Sequence, residues 1–151
     1  MKNLGKLFMA LCLFTVGGGI VANAQIDSDI TITANVPFTF VVGNTTLPAG
    51  KYDIRNIDEG TLRVLELSSV NGRTRIVFET DDAQTRDGEP ASKTELIFDK
   101  VGDKYFLSQV WVAGNDSRSQ LVKSKMEKGL EGGGGQSERH SIAAIPKQKK
   151  R

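Results

Sequence analysis

The stretch ITITANVPFTFVVGNTTLPAGKYDIRNI, residues 30–57, combines two runs of alternating apolar and polar residues with a turn between them. In residues 30–36 the apolar side chains take every second position, which is the period of a half-buried β-strand. Pro48 presets φ for a turn, and Gly50 accepts the positive φ that many chain reversals need. The stretch therefore predicts a strand, a turn and a second strand, and the chain that follows repeats this pattern.

Four further β-rich runs are separated by short turn signals, at residues 61–69, 73–80, 94–101 and 104–112. A two-residue turn at Asn71-Gly72, a strong hairpin signal, would pair Leu67 with Ile76 and Leu65 with Phe78. Polar residues at 80–93 and 114–119 predict exposed connections. Seven or eight short strands within residues 25–122, without intervening helices, predict an all-β domain. Both an antiparallel β-sandwich and a small closed barrel fit this pattern.

The first 24 residues resemble a signal peptide. Lys2 and Lys6 precede an apolar run at 7–16, and Ala22-Asn23-Ala24 matches the small-x-small cleavage pattern. We therefore expect an exported protein that begins at Gln25, in the periplasm or secreted to the medium. The chain's one cysteine, Cys12, lies in this leader, so the mature domain must be stabilised by its hydrophobic core and not by disulfides.

Charge divides the mature chain into two parts. Residues 25–122 carry a net charge of −5 and residues 123–151 a net charge of +5, which is typical of a folded body with a basic tail. We expect a frayed helical segment followed by a disordered tail, because the glycines at 132–135 and the closing PKQKKR bury little apolar surface. Weak electrostatic contact of this tail with anionic polymers or lipids is predicted, and no transmembrane helix or nucleic-acid partner is expected.

Few residues offer metal or nucleophile chemistry. The one histidine, His140, falls in the predicted tail and leaves little from which to build a catalytic triad or a zinc site. The polar loop at 80–93 would be the place for a calcium site. The spacing of its carboxylates differs from that of an EF-hand, however, and Arg86 lies among them. A solvated loop is therefore the preferred interpretation of its four acidic residues, Asp81, Asp82, Asp87 and Glu89.

Two other groups could form a site. Glu66 and Glu79 could act as a carboxylate pair on a glycoside if they faced each other in a cleft, but a solvated sheet face is the preferred interpretation. Tyr105 and Trp111 are an even number of positions apart on one predicted strand and so face the same side, whereas Phe106 faces the other side. An exposed Tyr/Trp pair could therefore stack on a sugar or a partner. Core packing is favoured for these aromatics. No catalytic, cofactor-binding or metal-binding residue is assigned.

Two motifs resemble a group of small exported bacterial β-rich proteins of unknown function. The pattern ITANVPFxFxVGxxxLPAGxY matches residues 32–52, and YGDxYFLxxVW matches residues 101–111 except at Val101, where the group has an aromatic residue. The resemblance spans most of the predicted domain. It implies an envelope or secreted β-domain, and it implies no catalytic residues.

The preferred hypothesis is a non-catalytic exported domain, not an enzyme, that binds or scaffolds a partner in the envelope or outside the cell. The alternative is a small barrel that carries an apolar ligand between five phenylalanines, Phe38, Phe40, Phe78, Phe98 and Phe106. A barrel of eight short strands is nearly filled by its own side chains, which disfavours a large cavity. A carboxylate hydrolase is the third hypothesis. The sequence leaves the partner and the oligomeric state open.

Overall fold

The computed structural model describes residues 31–57, 64–84, 89–115 and 117–147. Within these residues the chain forms ten strands and one helix: β1 (Thr31–Val36), β2 (Phe40–Val42), β3 (Thr45–Leu47), β4 (Gly50–Asn56), β5 (Val64–Ser69), β6 (Arg75–Gln84), β7 (Glu95–Val101), β8 (Lys104–Trp111), β9 (Ser117–Leu121), α1 (Lys125–Gly132) and β10 (Ser137–Lys147).

Eight of these strands close into an antiparallel barrel. Its order is β1-β4-β5-β6-β9-β8-β7-β10, and β10 pairs with β1 to complete the ring. The predicted all-β class is confirmed, and of the two predicted architectures the chain adopts the closed barrel. Closure gives every strand of the ring two neighbours, with β10 pairing with β7 through residues 137–143 and with β1 through residues 144–147.

The short hairpin of β2 and β3 extends the sheet beyond the ring. Strand β2 pairs in parallel with the first half of β8, where Phe40 lies opposite Tyr105. The second half of β8 pairs instead with β9, where Val110 lies opposite Ser119. The hairpin contributes apolar side chains to the barrel core, among them Phe40 and Leu47.

Apolar side chains from all eight barrel strands fill the core. Phe98 is fully buried, and its ring lies edge-on to Phe38 and Phe40 at centroid distances of 5.2 and 5.4 Å. Phe40 makes a similar edge-on contact with Tyr52 at 5.2 Å. Burial of this apolar surface is the main stabilising contribution, about 25 cal/mol for each Å² removed from water.

The hairpin of β5 and β6 has the predicted register. Leu65 lies opposite Phe78 and Leu67 opposite Ile76, and these four side chains belong to or pack against the core. The turn is wider than predicted, because Ser69 N donates to Thr74 O at 2.9 Å and leaves residues 70–73 as a four-residue loop. The loop keeps the same register as a two-residue turn, since both are centred between residues 71 and 72.

A bulge in β8 overturns the predicted parity of its aromatic residues. Phe98 pairs with Leu107 and Ile97 with Gln109, which leaves Ser108 as an extra residue. One extra residue reverses the alternation that follows it. Tyr105 therefore packs against the core, whereas Trp111 donates from Nε1 to Gln109 Oε1 at 2.9 Å and is not part of it.

The helical segment predicted within residues 123–151 is present as α1, but the disordered tail predicted to follow it is wrong up to Lys147. Ser124 caps α1 by accepting from Glu127 N at 3.1 Å, and β10 then enters the barrel between β7 and β1. Composition misled the prediction, because β10 is held by backbone pairing and by ion pairs such as Arg139 with Asp99 at 3.6 Å. Residues 148–151 lie outside the described residues.

Two predicted connections contain strand. The predicted exposed loop at 80–93 begins as strand, since β6 continues to Gln84, and the predicted break at 114–119 contains the start of β9. The polar residues there still pair through their backbones, Asp81 with Gln120 and Asp82 with Ser119. The predicted signal peptide, with its cleavage site after Ala24, lies outside the described residues. Within them, no helix is long and apolar enough to cross a membrane.

Candidate functional site

An open cleft lies at one end of the barrel, between the turn that leads into β4 and the loop of the β5–β6 hairpin. Its volume is about 440 Å³. Its walls come from two short segments, residues 48–52 and residues 69–74 without Gly72. The sequence predicts both turns, but no local pattern in it predicts that they lie side by side.

The first wall is held by the chain's own hydrogen bonds. Tyr52 lies in the core, and its hydroxyl donates to Pro48 O at 2.7 Å. Val70 N donates to Lys51 O at 3.0 Å, which ties the second wall to the first. Because these bonds join both turns to buried strands, the cleft is a preorganised feature of the barrel.

The second wall is an ordered loop. Asn71 Oδ1 accepts from Ser69 Oγ at 2.7 Å and from Arg73 N at 3.1 Å, which is an Asx-type arrangement. Gly72 has φ +72°, a conformation that favours glycine. The side chain of Asn71 is thus used in holding the loop, and Arg73 follows at a fixed position in its backbone.

The cleft is cationic. Lys51 and Arg73 are exposed, and no ion pair joins either of them to a described carboxylate. No aspartate or glutamate is among the lining residues, although residues 25–147, which include α1 and β10, carry a net charge of −3. Val70, 52% exposed, adds an apolar surface to the cleft wall. The arrangement suits a ligand that combines negative charge with some apolar contact.

Glu66 does not form a catalytic pair with Glu79. The Glu66 side chain is only 7% exposed; it lies 2.9 Å from Arg55 Nε and 3.7 Å from Arg75 Nη1. The hydrogen bond from Arg55 is the main cause that lowers the pKa of Glu66, against the opposing effect of burial. A carboxylate held ionised between two arginines is poorly suited to act as a general acid. Glu79 is exposed, opposite Val64 on the neighbouring strand.

The four acidic residues of the predicted loop do not form a described cluster. Asp81 is exposed on β6, and Asp82 is the next residue along that strand. Glu89 is exposed and Asp87 lies outside the described residues. Among the residues that the structure describes, no three His, Cys, Asp or Glu side chains are placed to hold a metal ion.

His140 lies in the barrel wall and not in a tail. It pairs with Phe98 across β10 and β7, and its ring meets Tyr105 edge-on at 5.3 Å. Phe38 stacks on Tyr105 at 3.9 Å, and Lys100 Nζ lies 5.7 Å from the centre of the Tyr105 ring. Tyr105 is thus used in packing, as the preferred interpretation of the sequence had it. Trp111 is separately covered by Arg118 at 5.2 Å.

The five phenylalanines of the carrier hypothesis do not line one space. Phe40 and Phe98 are fully buried against each other, while Phe38 and Phe78 pack at the margin of the same core. Phe106 belongs to a second cluster with Val41 and Val101, covered by Leu130 of α1. The carrier hypothesis therefore lacks a shared apolar cavity among these residues.

A buried carboxylate under α1 was missed by the sequence analysis. Glu127 is 4% exposed, and its Oε1 has no hydrogen-bond partner, with Lys123 Nζ 3.9 Å away. Burial raises the pKa of Glu127, and nearby Asp99 adds to the effect while Lys123 opposes it. The spacing of Ser124 and Glu127 matches a capping box, which was the signal in the sequence that could have located this residue.

The stabilities contributed by Glu127 and Glu66 should respond to pH in opposite directions. A raised pKa in the folded state means that ionisation of Glu127 costs stability as the pH rises past the ordinary carboxyl pKa of 4.5. Glu127→Gln should therefore stabilise the protein at pH 7, because the neutral amide avoids the desolvation that burial imposes on the carboxylate. The gain should shrink as the pH falls towards 4.5.

Glu66→Gln should do the reverse. The lowered pKa of Glu66 means that its ionised form stabilises the fold above pH 4.5, and that this contribution disappears as the pH falls through the lowered value. The variant should be less stable than the parent at pH 7 and equal to it in strong acid. Urea unfolding from pH 3 to 8 measures both variants. Parallel pH curves for the parent and either variant would contradict the corresponding prediction.

Comparison with known proteins adds no relative: no family model, curated protein or solved structure matches the chain. The resemblance to small exported bacterial β-rich proteins therefore stays a prediction, and the geometry of the barrel carries the functional interpretation.

Proposed function

We propose that the protein is a non-catalytic exported module that binds an anionic envelope or extracellular partner in the cleft at the end of its barrel. The observation that carries this proposal is that Lys51 and Arg73 both line a cleft whose lining residues include no carboxylate. In a body of opposite net charge, such a cleft is the place where an anionic ligand meets the least repulsion.

The packing of the barrel supports external binding over the alternative of an apolar carrier. Phe40, Leu67 and Phe98 are each fully buried in the core. A barrel of eight strands is about filled by such side chains. The hydrolase hypothesis is likewise disfavoured, since Glu66 is engaged by Arg55 and Arg75.

Export is part of this proposal and has its own test. The leader composition and Ala22-Asn23-Ala24 predict cleavage after Ala24. The intact mass of the protein recovered outside the cytoplasm should correspond to a chain that begins at Gln25. A recovered form that still contains Cys12 would contradict the predicted cleavage.

Binding can be tested with defined polymers. Polyglutamate and polygalacturonate should bind the protein, neutral dextran should not, and binding should weaken with salt because exposed charges are screened within about 8 Å at physiological ionic strength. The double variant Lys51→Glu/Arg73→Glu should lose about tenfold in affinity, since two exposed ion pairs of up to 1 kcal/mol each are replaced by repulsion.

The control makes the same change in charge elsewhere. Lys104 and Lys128 are exposed and do not line the cleft, so Lys104→Glu/Lys128→Glu should bind the acidic polymers nearly as the parent does. The parent and the control variant should recover a partner from the producing cell's envelope, and Lys51→Glu/Arg73→Glu should recover less of it. Equal losses in both double variants would show that only net charge matters and would overturn the proposed site.

A further inference from the structure

We propose that β10 is exchanged between two copies of this chain, so that the slot between β1 and β7 of each copy accepts residues Ser137–Lys147 of the other. This inference does not depend on the binding cleft. It concerns the last strand of the barrel, which pairs with β7 through Ser137 to Ala143 and with β1 through Ala144 to Lys147.

Side-chain burial holds β10 only weakly. Of its eleven residues Ala144 alone is buried, and His140 and Ile142 are partly buried. Ile145 is 71% exposed. The strand is therefore held mainly by its backbone hydrogen bonds, and these are re-formed in full when an identical strand from another copy takes its place. Exchange of an identical element keeps every native contact except those of the hinge.

The connection from α1 to β10 is a run of glycines that can serve as the hinge. Gly134 N donates to Glu131 O at 3.0 Å and Gly135 N to Leu130 O at 3.1 Å, which folds the chain back onto the helix end. Gly134 has φ +92°. Glycine adopts extended conformations as readily as these, so the same residues can run straight and carry β10 to a neighbouring barrel.

The charges along the slot favour this strand over an unrelated one. Arg139 lies 3.6 Å from Asp99 of β7, and Lys147 lies 3.1 Å from Asp53 of β4. Ser141 also donates to the Glu95 carboxylate of β7. These contacts fix the register of a strand whose apolar pattern is weak. The partner that fits the slot is therefore a second copy of this chain.

A cysteine pair reports which chain supplies β10. Lys100 and Glu138 lie opposite each other on β7 and β10, and opposed strand positions have Cα separations that a disulfide can bridge. The full chain with Cys12→Ser, Lys100→Cys and Glu138→Cys is unfolded in denaturant, refolded at low and high protein concentration, and oxidised. Exchange predicts a covalent dimer whose fraction rises with concentration, and a covalent monomer at low concentration.

The hinge supplies a second variant and its control. A Cβ at Gly135 would lie 2.8 Å from Leu130 O and 2.9 Å from a methyl of Val101, whereas a Cβ at Gly132 would meet nothing within 4 Å. Gly135→Ala should therefore strain the closed hinge and raise the dimer fraction, and Gly132→Ala should leave it unchanged. If Gly135→Ala fails to fold, the fraction of covalent dimer formed by the double-cysteine chain with its native hinge is the test of exchange. Covalent monomer at every concentration, or a dimer without a disulfide between copies, overturns the proposal.

Discussion

A chain that ends at Gly132 is expected to lose cooperative unfolding altogether. The truncation removes β10, and with it seven residue pairings with β7 and four with β1. At a net value of roughly 0.5–1.5 kcal/mol for each hydrogen bond, the lost ladder is comparable to the whole stability of a small domain, about 5–15 kcal/mol. It also leaves two open edges, on β1 and β7, inside what was a closed ring.

The matched control is a chain that ends at Lys147, which keeps all of β10. Thermal unfolding followed by circular dichroism should give the full-length transition for the control and no cooperative transition for the shorter chain. A sharp transition near the full-length midpoint in the chain that ends at Gly132 would show that the barrel does not need its last strand. The composition of residues 132–151 alone predicts that result.

Phe98→Ala should destabilise the barrel by roughly 3–5 kcal/mol, the range for removing a large aromatic side chain from a core. Phe98 is fully buried, and its ring contacts those of Phe38 and Phe40. The variant loses the apolar burial and leaves a cavity at the contact of β7 with the β2–β3 hairpin. The surrounding rings can only partly relax into that space, because each is held by its own strand or turn.

Urea unfolding measures this loss as a lower midpoint with an unchanged slope. Val77→Ala is the control, because Val77 lies on the outer surface of β6 and is 56% exposed. Its effect should stay within about 0.5 kcal/mol. Similar losses in the two variants would mean that Phe98 is not part of a tightly packed core.

The parts of the fold that could be predicted are those in which local patterns and tertiary packing agree. Alternation along residues 30–36 predicted β1, and Asn71-Gly72 predicted the register of β5 and β6 although the turn itself is wider. The all-β class followed from the number of such runs. The two turns that line the cleft were also predicted, but their contact depends on how β4 and β5 pair, which no local pattern specifies.

The errors came from features that only the closed ring explains. Residues 137–147 are too polar to predict a strand, and they become one because β7 offers a backbone ladder to the first seven of them and β1 to the last four. The bulge at Ser108 reverses side-chain parity without any glycine or proline to mark it. Glu66 was expected on a solvated face, and it is buried because Arg55 and Arg75 cover it.

The position of β1 next to β10 has a consequence for the order in which the molecule can be made. A ribosome releases Thr31 long before Lys147, yet these two residues are partners in the finished barrel. Until the final residues emerge, β1 lacks one neighbour and the ring cannot close, and pairings so distant in sequence form slowly. The nascent chain therefore remains open through nearly all of its synthesis.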